Sequence, residues 1–599
     1  MNDRALPISI LEADVGVRTS TEHTFATHDG VRLFYRRWRA TTEAARGAIV
    51  LLHRGHEHSG RMGHLPAELD LPDFDFFAWD ARGHGQSPGA RGDSPSFGTS
   101  VRDAQTFIAH IGERHGFAPE SIAIIAQSVG AVVAAAWVHD YAPRIRGMVL
   151  ASPAFKVKLY VPLALPGLRL MRVLRGNFFV TSYVKARLLT RDPDRAASYD
   201  SDPLIARSIS VNILLGLQQT ADRIVADAAA ITVPTQLLMS DRDWVVHDGP
   251  QHAFFERLGA ATKEKHVLQG FYHDTLGEQD RAIALGHVRK FLLTLFDRPL
   301  ERVDLTGADR DGFTKDEADA LRQRPPGNSP RDLYWRATRG ALRFGATLSD
   351  GLHVGRAMGF DSGSMLDYVY RNVASGRTLL GRLLDRIYLD SVGWRGIRQR
   401  KRDVEELLVE AIARLRAVGR PVRIVDIAAG HGRYVLDAIA HSAVRPDSIV
   451  LRDYSDANVR EGTALIARRR LADIARFVNA DAFDRTSLDA IEPKPTLGVV
   501  SGLYELFADN ALVGESLDGL AAAIVPGGFL VYTCQPWHPQ LELIARALQS
   551  HRGGAPWIMR RRTQAEMDQL VERAGFRKIA QRINEEGLFT VSLAERRAQ

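Results

Sequence analysis

Ser128 stands in the five-residue frame AQSVG, residues 126–130, which could place a nucleophile on a sharp turn. The segment SIAIIAQ before it has the pattern of a buried strand, and GAVVAAAWVHD after it has that of a buried helix. A serine on such a strand-to-helix turn can attack a carbonyl carbon, provided that its neighbours are small. The same frame fits a serine that only caps the helix, so the frame alone leaves both interpretations open.

A nucleophilic serine needs a histidine to take its proton and a carboxylate to orient that histidine. Asp243 follows the apolar run VPTQLLMS, and His273 follows the next strand-like run, so the chain order is serine, aspartate, histidine. Asp241 and His266 are the nearest alternatives. These positions favour a catalytic serine over a helix cap.

Hydrolysis through a serine also needs donors for the oxyanion that forms on the substrate. The loop HRGHEHSG, which begins at residue 53, follows an early strand-like run and contains Gly55. The backbone N–H groups of Gly55 and of Val129, which follows the serine, are the predicted donors.

The sequence predicts no metal site. The chain has one cysteine, Cys534, and no zinc-type cluster of histidine and cysteine. Residues 307–318, GADRDGFTKDEA, resemble a calcium loop, but Gly307 and Ala318 occupy its first and last ligand positions. We interpret this stretch as the start of a helix within a linker.

A second group of residues that could take part in ligand binding or catalysis lies in VRIVDIAAGHGRYV, residues 422–435. Here a strand pattern leads to Gly430-x-Gly432 at a helix start, where bare backbone lets a nucleotide approach the positive end of the helix. A dinucleotide fold would require a third glycine where this chain has Val435. Asp426 lies within the strand, four residues before Gly430.

The elements that must position these groups are short apolar runs alternating with helical patterns, which predict parallel sheets covered by helices on both faces. One such series fills the first 297 residues and another begins near residue 422, so the fold class is α/β in both halves. We predict a first domain at residues 20–297 and a second domain at residues 419–599. Between them lie a charged linker at residues 298–330, which contains Pro325-Pro326-Gly327, and an arginine-rich helical lead-in at residues 331–418.

Composition agrees with two globular domains, since 599 residues with 45% hydrophobic and 25% charged residues exceed one ordinary core. The net charge of +7 is modest for this length, so nucleic-acid binding is not predicted, although binding to an anionic membrane surface or an acidic ligand is compatible with it.

The single cysteine favours a reducing compartment. No apolar run is long enough to span a bilayer, and the N-terminal residues lack a signal-like pattern. We expect a cytoplasmic protein, either soluble or attached peripherally at the inner face of the membrane.

The first half resembles the monoacylglycerol lipase and lysophospholipase branch of the α/β hydrolases, a group of serine aminopeptidase S33 type. The resemblance runs from about residue 25 to 295 and rests on these stretches: HRGHEHSGR, DARGHGQS, AQSVG, SDPL, SDRDWVV and GFYHD. In that family the loop reads His-Gly-x-Gly-Glu-His, whereas this chain has Arg54 and His56 at the glycine positions and Ala126 at the first glycine of the serine frame. The resemblance implies an α/β-hydrolase fold with a helical cap, and ester hydrolysis by Ser128, Asp243 and His273.

The predicted cap spans about residues 154–232. It contains the apolar stretch FKVKLYVPLALPGLRLMRVLRGNFFV, which also carries several lysines and arginines. Such a segment suits a lid at a lipid surface that admits an acyl chain, and it suits equally a cap packed on its own domain. The expected substrate is a lipid-like ester, a lysophospholipid or monoacylglycerol, with a peptide as the alternative.

The second half, from about residue 395, resembles the Rossmann-like, class I S-adenosylmethionine-dependent methyltransferases. The pattern Asp-x-Ala-x-Gly-x-Gly matches their first motif, with Ala428 where glycine is commoner. The resemblance implies that Asp426 holds the methionine ammonium directly or through water, Asp453 binds the ribose hydroxyls, and Asp481 with Ala482 binds the adenine. The cofactor it implies is S-adenosylmethionine. The residues assigned to its site are Asp426, Ala428, Gly430, Gly432, Asp453, Asp481 and Ala482.

The methyl acceptor is not identified by the sequence. No Asn-Pro-Pro-Tyr follows the fourth strand of the second domain, so the signature for methylating amino groups of adenine or glutamine is absent. Tyr504, Glu505, Trp537 and His538 are candidates for the acceptor pocket, and each fits packing or a loop equally well. The basic region 331–418 could cover the cofactor, touch a membrane or be a solvated helix face, of which we favour the last.

These patterns lead to one hypothesis and its alternative. The hypothesis is a bifunctional enzyme that joins a serine ester hydrolase to an S-adenosylmethionine-dependent methyltransferase. The alternative is a lipid-binding or scaffold protein in which one or both domains lack catalysis.

Overall fold

The structure is a computed structural model that describes residues 18–598, apart from the side chain of His441. The N-terminal stretch on which the prediction about targeting rests lies outside the described residues. The chain forms two compact units that divide between Val303 and Asp304. In the described part of the chain, no helix combines the length and apolar character needed to cross a bilayer.

The first unit contains alternating strands and helices. Its strands are β1 (Ser20–Ala26), β2 (Arg32–Trp38), β3 (Gly47–Leu52), β4 (Phe74–Trp79), β5 (Ile122–Gln127), β6 (Gly147–Ala151), β7 (Phe179–Thr181), β8 (Ser208–Ser210), β9 (Thr235–Ser240) and β10 (Lys263–Leu268). Its helices are α1 (Leu65–Glu68), α2 (Phe97–His115), α3 (Val129–Tyr141), α4 (Ala164–Arg175), α5 (Pro193–Ser201), α6 (Val211–Ala226), α7 (Gly249–Arg257) and α8 (Arg281–Phe296), with short 3₁₀ turns at Ser59–Met62, Pro119–Ser121, Ala186–Leu188 and Ala228–Ala230.

Among the described residues, eight strands of this unit form one sheet in the order β1-β2-β4-β3-β5-β6-β9-β10. β2 is antiparallel to both neighbours, and the pairs from β4 to β10 are parallel. The central strands β3, β5 and β6 are buried along their whole length, because helices cover both faces of a parallel sheet. This is the predicted α/β-hydrolase fold, with α4 to α6, β7 and β8 inserted between β6 and β9 as the cap.

The second unit begins with helices and continues with a second sheet. Its helices are α9 (Ala308–Asp311), α10 (Phe313–Arg322), α11 (Pro330–Gly345), α12 (Asp350–Met358), α13 (Gly363–Arg371), α14 (Leu379–Leu389), α15 (Val392–Ala417), α16 (Arg433–His441), α17 (Asp456–Arg468), α18 (Arg485–Asp489), α19 (Asn510–Ala523), α20 (Leu541–Ala547) and α21 (Gln564–Arg573), with a 3₁₀ turn at Tyr504–Leu506. Its strands are β11 (Arg423–Asp426), β12 (Ser448–Asp453), β13 (Ala475–Asn479), β14 (Leu497–Val500), β15 (Phe529–Cys534), β16 (Phe576–Ile583) and β17 (Thr590–Arg596).

In the described part of this unit, the seven strands lie in the order β13-β12-β11-β14-β15-β17-β16. The pairs from β13 to β15 are parallel, while β17 is antiparallel to both β15 and β16. β16 and β17 close this sheet as an antiparallel hairpin. This order brings the carboxyl ends of β11, β12, β13 and β14 to one edge, which is where a Rossmann-like sheet binds its ligand.

The structure differs from the predicted linker at residues 298–330. Residues from Asp304 onward belong to the second unit, and they contain two helices where one was expected. Leu305 donates its backbone N–H to Gln569 Oε1 at 2.8 Å, and Glu317 pairs with Arg561 at 2.6 Å. The charged composition resembles that of a linker, but polar groups of this segment pair with distant residues of the domain.

Candidate active sites

Ser128 lies on a strained turn between β5 and α3. Its φ of 55° is in the left-handed region, which a residue with a side chain adopts at an energetic cost. Gly130 is required two residues later, because a Cβ there would lie 2.4 Å from the carbonyl oxygen of His53. Ala126, by contrast, is an ordinary buried strand residue within β5. The turn is therefore a nucleophile elbow that accepts alanine at its first small position.

The structure brings Ser128, His273 and Asp243 together in one hydrogen-bonded chain. His273 Nε2 lies 2.8 Å from Ser128 Oγ, and its Nδ1 lies 2.7 Å from Asp243 Oδ2. The other carboxylate oxygen of Asp243 accepts the backbone N–H groups of Val245 and Val246 at 2.7 and 2.9 Å. Burial opposes the charge of Asp243, but His273 and these donors outweigh it and hold its pKa below the usual value.

The alternatives Asp241 and His266 lie elsewhere. Asp241 accepts the backbone N–H of Gly270 at 2.6 Å, and His266 stacks on His287 with ring centroids 3.8 Å apart. Asp241 therefore stabilises a turn, and His266 packs against a helix.

The two predicted oxyanion donors are neighbours. A Cβ on Gly55 would lie 3.0 Å from Val129 Cγ2, so the absence of a side chain at Gly55 allows the two residues to lie this close. Among the described residues, neither backbone N–H group has a hydrogen-bond acceptor. Two such groups beside Ser128 Oγ can stabilise a tetrahedral intermediate.

Arg54 and His56, which replace the two glycines of the family loop, both have defined structural roles. His56 adopts a φ of 71°, in the left-handed region that favours glycine. Arg54 is buried and pairs with Glu57, with Nε and Oε2 2.7 Å apart. Its guanidinium also lies 3.7 Å from Asp274, the residue after the catalytic histidine.

Arg54 belongs to a buried charge network that sequence reasoning missed. Asp274 pairs with Arg195 of α5 at 2.5 Å and accepts the side-chain amide of Gln127 at 3.2 Å. Glu57 pairs with Arg61 at 2.6 Å. Burial opposes the charge of Glu57, but the facing arginines lower its pKa to about 2. The network joins the oxyanion loop, the residue before Ser128, the residue after His273 and the cap.

In the second unit, both glycines of the predicted nucleotide turn have positive φ. Gly430 (φ 57°) lines a cavity of about 720 Å³ at the carboxyl edge of the sheet. Gly432 (φ 70°) begins α16 and does not line that cavity. A Cβ on Gly432 would lie 2.4 Å from Leu451 Cδ1, so its role is close packing of the helix on β12.

Asp453 is the last residue of β12 and lines this cavity. Its Oδ2 accepts the backbone N–H of Gly430 at 3.0 Å, while Oδ1 accepts the backbone N–H of Ser455 at 2.9 Å and the amide of Asn458 at 3.0 Å. Each carboxylate oxygen can accept more than one hydrogen bond, so Oδ2 retains capacity for a ligand hydroxyl. Ala428, Asp481 and Ala482 also line the cavity.

Asp426, the last residue of β11, is buried and does not line the cavity. Its side chain is fully buried; Oδ1 accepts the backbone N–H of Ala428 at 3.4 Å, and Oδ2 has no hydrogen-bond partner among the described residues. Burial raises its pKa to about 7. A contact between Asp426 and a ligand therefore requires an intermediary such as water.

The region 331–418 was predicted to be a solvated helix face, yet part of it lines the cavity that contains Asp453. Gly363, Asp367 and Tyr370 of α13 line the cavity opposite the strand edge. Asp367 pairs with Arg433 of α16 at 2.6 Å. No periodicity or motif in α13 marks this role, so only the folded chain reveals it.

The predicted acceptor-pocket residues do not line this cavity. Tyr504 is buried with its hydroxyl 3.1 Å from Ser516 Oγ, and Glu505 accepts the hydroxyl of Thr533 at 3.0 Å. Trp537 packs in the helical cluster that contains Leu588, and His538 lies over Phe589. Leu503, Leu506, His551 and Arg552 line the cavity instead. No group of three or more metal-ligating side chains is present within the described residues.

Comparison with known proteins agrees with both folds. The family model described as "Putative methyltransferase" matches residues 288–596, and the model described as "Serine aminopeptidase, S33" matches residues 43–280. The methyltransferase model thus begins before residue 331, so the helical lead-in is part of that family's domain.

Three relatives were compared. A protein of Escherichia coli K12, "Uncharacterized protein YnbC", is 55% identical over 97% of this chain and 99% of its own length. The monoacylglycerol lipase of Mycolicibacterium smegmatis is 27% identical over 46% of this chain and 98% of its own length. The crystal structure of the Paleococcus ferrophilus monoacylglycerol lipase is 26% identical and covers 44% of this chain and 99% of its own, with a TM-score of 0.40.

Fold, site and matches together define a protein that joins an α/β-hydrolase domain to a methyltransferase domain. The chain belongs to the family of the methyltransferase model, which covers more than half of it, and YnbC of Escherichia coli is a relative over nearly its full length.

Proposed function

We propose that the first domain is a serine hydrolase that cleaves a lipid-like ester, such as a lysophospholipid or a monoacylglycerol. The observation that carries this proposal is the continuous chain of hydrogen bonds from Ser128 through His273 to Asp243 at a strained elbow. A serine that only capped a helix would need neither the buried histidine nor its carboxylate.

The proposed reaction has two acyl-transfer steps. Ser128 Oγ attacks the ester carbonyl while His273 Nε2 takes its proton, and the N–H groups of Gly55 and Val129 stabilise the oxyanion. Collapse of the intermediate breaks the ester bond, and His273 returns the proton to the departing alcohol. Water then attacks the acyl-serine through the same base, releasing the carboxylic acid and restoring the hydroxyl of Ser128.

The cap supports an apolar substrate. None of the residues of α4 is buried, and Leu163, Val173 and Leu174 are each more than 70% exposed. An apolar surface of this kind suits an acyl chain. The names of relatives such as the Mycolicibacterium smegmatis and human lipases support the same substrate class.

A panel of monooleoylglycerol, lysophosphatidylcholine and leucine p-nitroanilide tests this proposal with the purified full-length chain. We expect fatty acid release from a lipid ester by the wild type and none by Ser128→Ala at an unchanged melting temperature. Cleavage of the anilide alone would identify a peptidase. Release of no product would favour the binding or scaffold protein.

We further propose that the second domain transfers a methyl group from S-adenosylmethionine. The observation that carries this proposal is Asp453 at the end of β12 beside the positive-φ Gly430, in a cavity at the carboxyl edge of a Rossmann-like sheet. The chemistry supplied by the bound cofactor is an electrophilic methyl group.

The residues present fit this cofactor. Asp453 would accept a ribose hydroxyl, and Asp481 with Ala482 would contact the adenine. Gly430 lines the cavity beside Asp453 without a side chain, which leaves room for the cofactor near its ribose. Asp426 would act through water. Transfer by such a fold depends mainly on holding the acceptor in line, so the chain's own contribution is orientation and exclusion of water.

Titration calorimetry with S-adenosylhomocysteine tests the second proposal. We expect binding by the wild type and at least tenfold weaker binding by Asp453→Asn, because a hydrogen bond to a charged group is worth about 1.5–3 kcal/mol. The exposed Asp473 pairs with Arg445 outside the cavity, so Asp473→Asn is the matched control and should bind normally. Absence of binding by the wild type would contradict the proposal.

A further inference from the structure

The second unit contains another cavity, of about 690 Å³, that shares no lining residue with the cofactor cavity. It lies between α11 and α20, and the segments 321–327 and 554–558 complete its wall. Its volume falls within the range of about 300–1,000 Å³ that is typical of small-molecule sites.

The charge of this cavity is strongly unbalanced. Six arginines line it with a single carboxylate, that of Asp332. Within the described residues, no ion pair or hydrogen bond occupies the guanidinium groups of Arg324, Arg343 or Arg356. Arg339 and Arg546, in contrast, donate to the backbone carbonyls of Arg546 and Ala320 at 3.0 and 3.2 Å. Three cations of this wall are therefore available to an anion.

Apart from Gln549, the other side chains of the wall are apolar. Leu342, Phe360, Leu548 and Ile558 line the cavity together with Trp335. Trp335 is only 7% exposed, and its indole N–H has no acceptor among the described residues. A buried donor without a partner is unfavourable, so a ligand oxygen at this wall would relieve a cost that the protein bears alone.

We propose that this cavity binds an anionic amphiphile, with a phosphate or carboxylate head against Arg324, Arg343 and Arg356 and an alkyl chain along Trp335, Leu342 and Leu548. Guanidinium groups recognise both anions through paired N–H donors. The apolar wall distinguishes such a ligand from a free inorganic anion, and the arginines distinguish it from a neutral lipid. The site is independent of the proposed catalytic activities.

Calorimetric titration of the full-length chain tests this site with dodecyl phosphate and dodecanoate below their micellar concentrations. Dodecyl maltoside supplies the chain without the charge, and inorganic phosphate supplies the charge without the chain. We expect one or both anionic amphiphiles to bind at least tenfold more tightly than either comparison compound. Equal affinity for dodecyl maltoside or for inorganic phosphate would overturn the proposal.

Variants locate the site within the protein. The double variant Arg343→Gln/Arg356→Gln should weaken binding of the amphiphile at least tenfold, whereas Arg460→Gln/Arg468→Gln, which removes two exposed arginines outside the cavity, should not. Trp335→Phe keeps an apolar ring but removes the indole N–H, and should weaken binding severalfold. Circular dichroism and S-adenosylhomocysteine affinity report whether each variant is folded. Equal binding by both double variants would place the ligand elsewhere, for example in the hydrolase domain, and would overturn the proposal.

Discussion

At the scale of single residues, the hydrolase site depends on how Asp243 orients His273. The ring can accept the proton of Ser128 at Nε2 only if Nδ1 carries a hydrogen, and Asp243 Oδ2 at 2.7 Å favours that tautomer. The positions of all three residues at strand ends could be predicted from the sequence, because chain order and strand patterns constrain them. The geometry could not, since it depends on loops that meet only in the folded domain.

Replacing Asp243 tests this orientation directly. We expect Asp243→Asn to lower kcat for ester hydrolysis by about 10³–10⁴, with a smaller change in KM, because the amide favours the wrong tautomer. Steady-state kinetics on a soluble ester provide the measurement. The neighbouring Asp241→Asn is the control and should retain activity within about threefold. Similar losses in the two variants would refute the assigned role.

Asp426 leads to a prediction about pH. Its pKa is about 7 in the folded chain and near 4 when unfolded, so between these values the folded state holds a proton that the unfolded state has lost. Its contribution to stability is therefore complete below pH 4 and is lost as pH rises toward 7.

The variant Asp426→Asn removes this titration. The free energy of unfolding of the variant relative to the wild type should rise with pH, by up to about 1.4 kcal/mol per unit between pH 4 and 7. Denaturant titrations of the cofactor-free proteins at several pH values measure the difference, in which other titrating groups cancel. A difference independent of pH would show that the carboxyl is ionised throughout.

At the scale of elements, the turn from β5 to α3 requires glycine at position 130 and not at position 126. Ala126 sits in β5 opposite Leu52 and Leu150, so its backbone is that of an ordinary strand. The sequence could indicate the turn but could not show which of its small positions is sterically required.

The variant Ala126→Gly should therefore remain active. We expect hydrolysis within about threefold of the wild type and a loss of stability of about 0.5–1 kcal/mol, because glycine in a strand loses more conformational entropy on folding. Kinetics and denaturant unfolding measure the two effects. A large gain in activity would instead show that alanine distorts the elbow.

The buried charge network connects elements that are far apart in the sequence. Arg54, Glu57, Arg195 and Asp274 come from the oxyanion loop, the cap and the loop of the catalytic histidine. Such long-range pairs leave no local pattern in the sequence. From the sequence alone, Arg54 could therefore be recognised only as a departure from the family pattern.

Removing Arg54 should leave buried carboxylates poorly compensated. We expect Arg54→Ala to lower the free energy of unfolding by about 3 kcal/mol, the lower end of the range for breaking a buried pair, because Arg61 and Arg195 remain. Denaturant unfolding at pH 7 provides the measurement. The exposed Arg114 on α2 is the control, and Arg114→Ala should change stability by no more than about 0.5 kcal/mol. Equal effects would show that the network contributes little.

At the scale of the whole molecule, the sequence predicted two α/β domains and the structure has two such units, each with its sheet order matching the predicted fold. The helical segments were predicted least well. Residues 304–330 and α13 are integral parts of the second unit, and their contributions depend on side chains such as Glu317 and Asp367 that meet distant partners. Composition alone could not distinguish these segments from a linker or a solvated helix.

The central claim is that this two-domain protein carries a working serine nucleophile at Ser128. Intact-mass analysis after treatment of the full-length chain with a fluorophosphonate tests it most directly, because this reagent modifies serines that a neighbouring base activates. The account predicts one adduct per chain on the wild type and none on Ser128→Ala. An unmodified wild type, or equal modification of the variant, would contradict it.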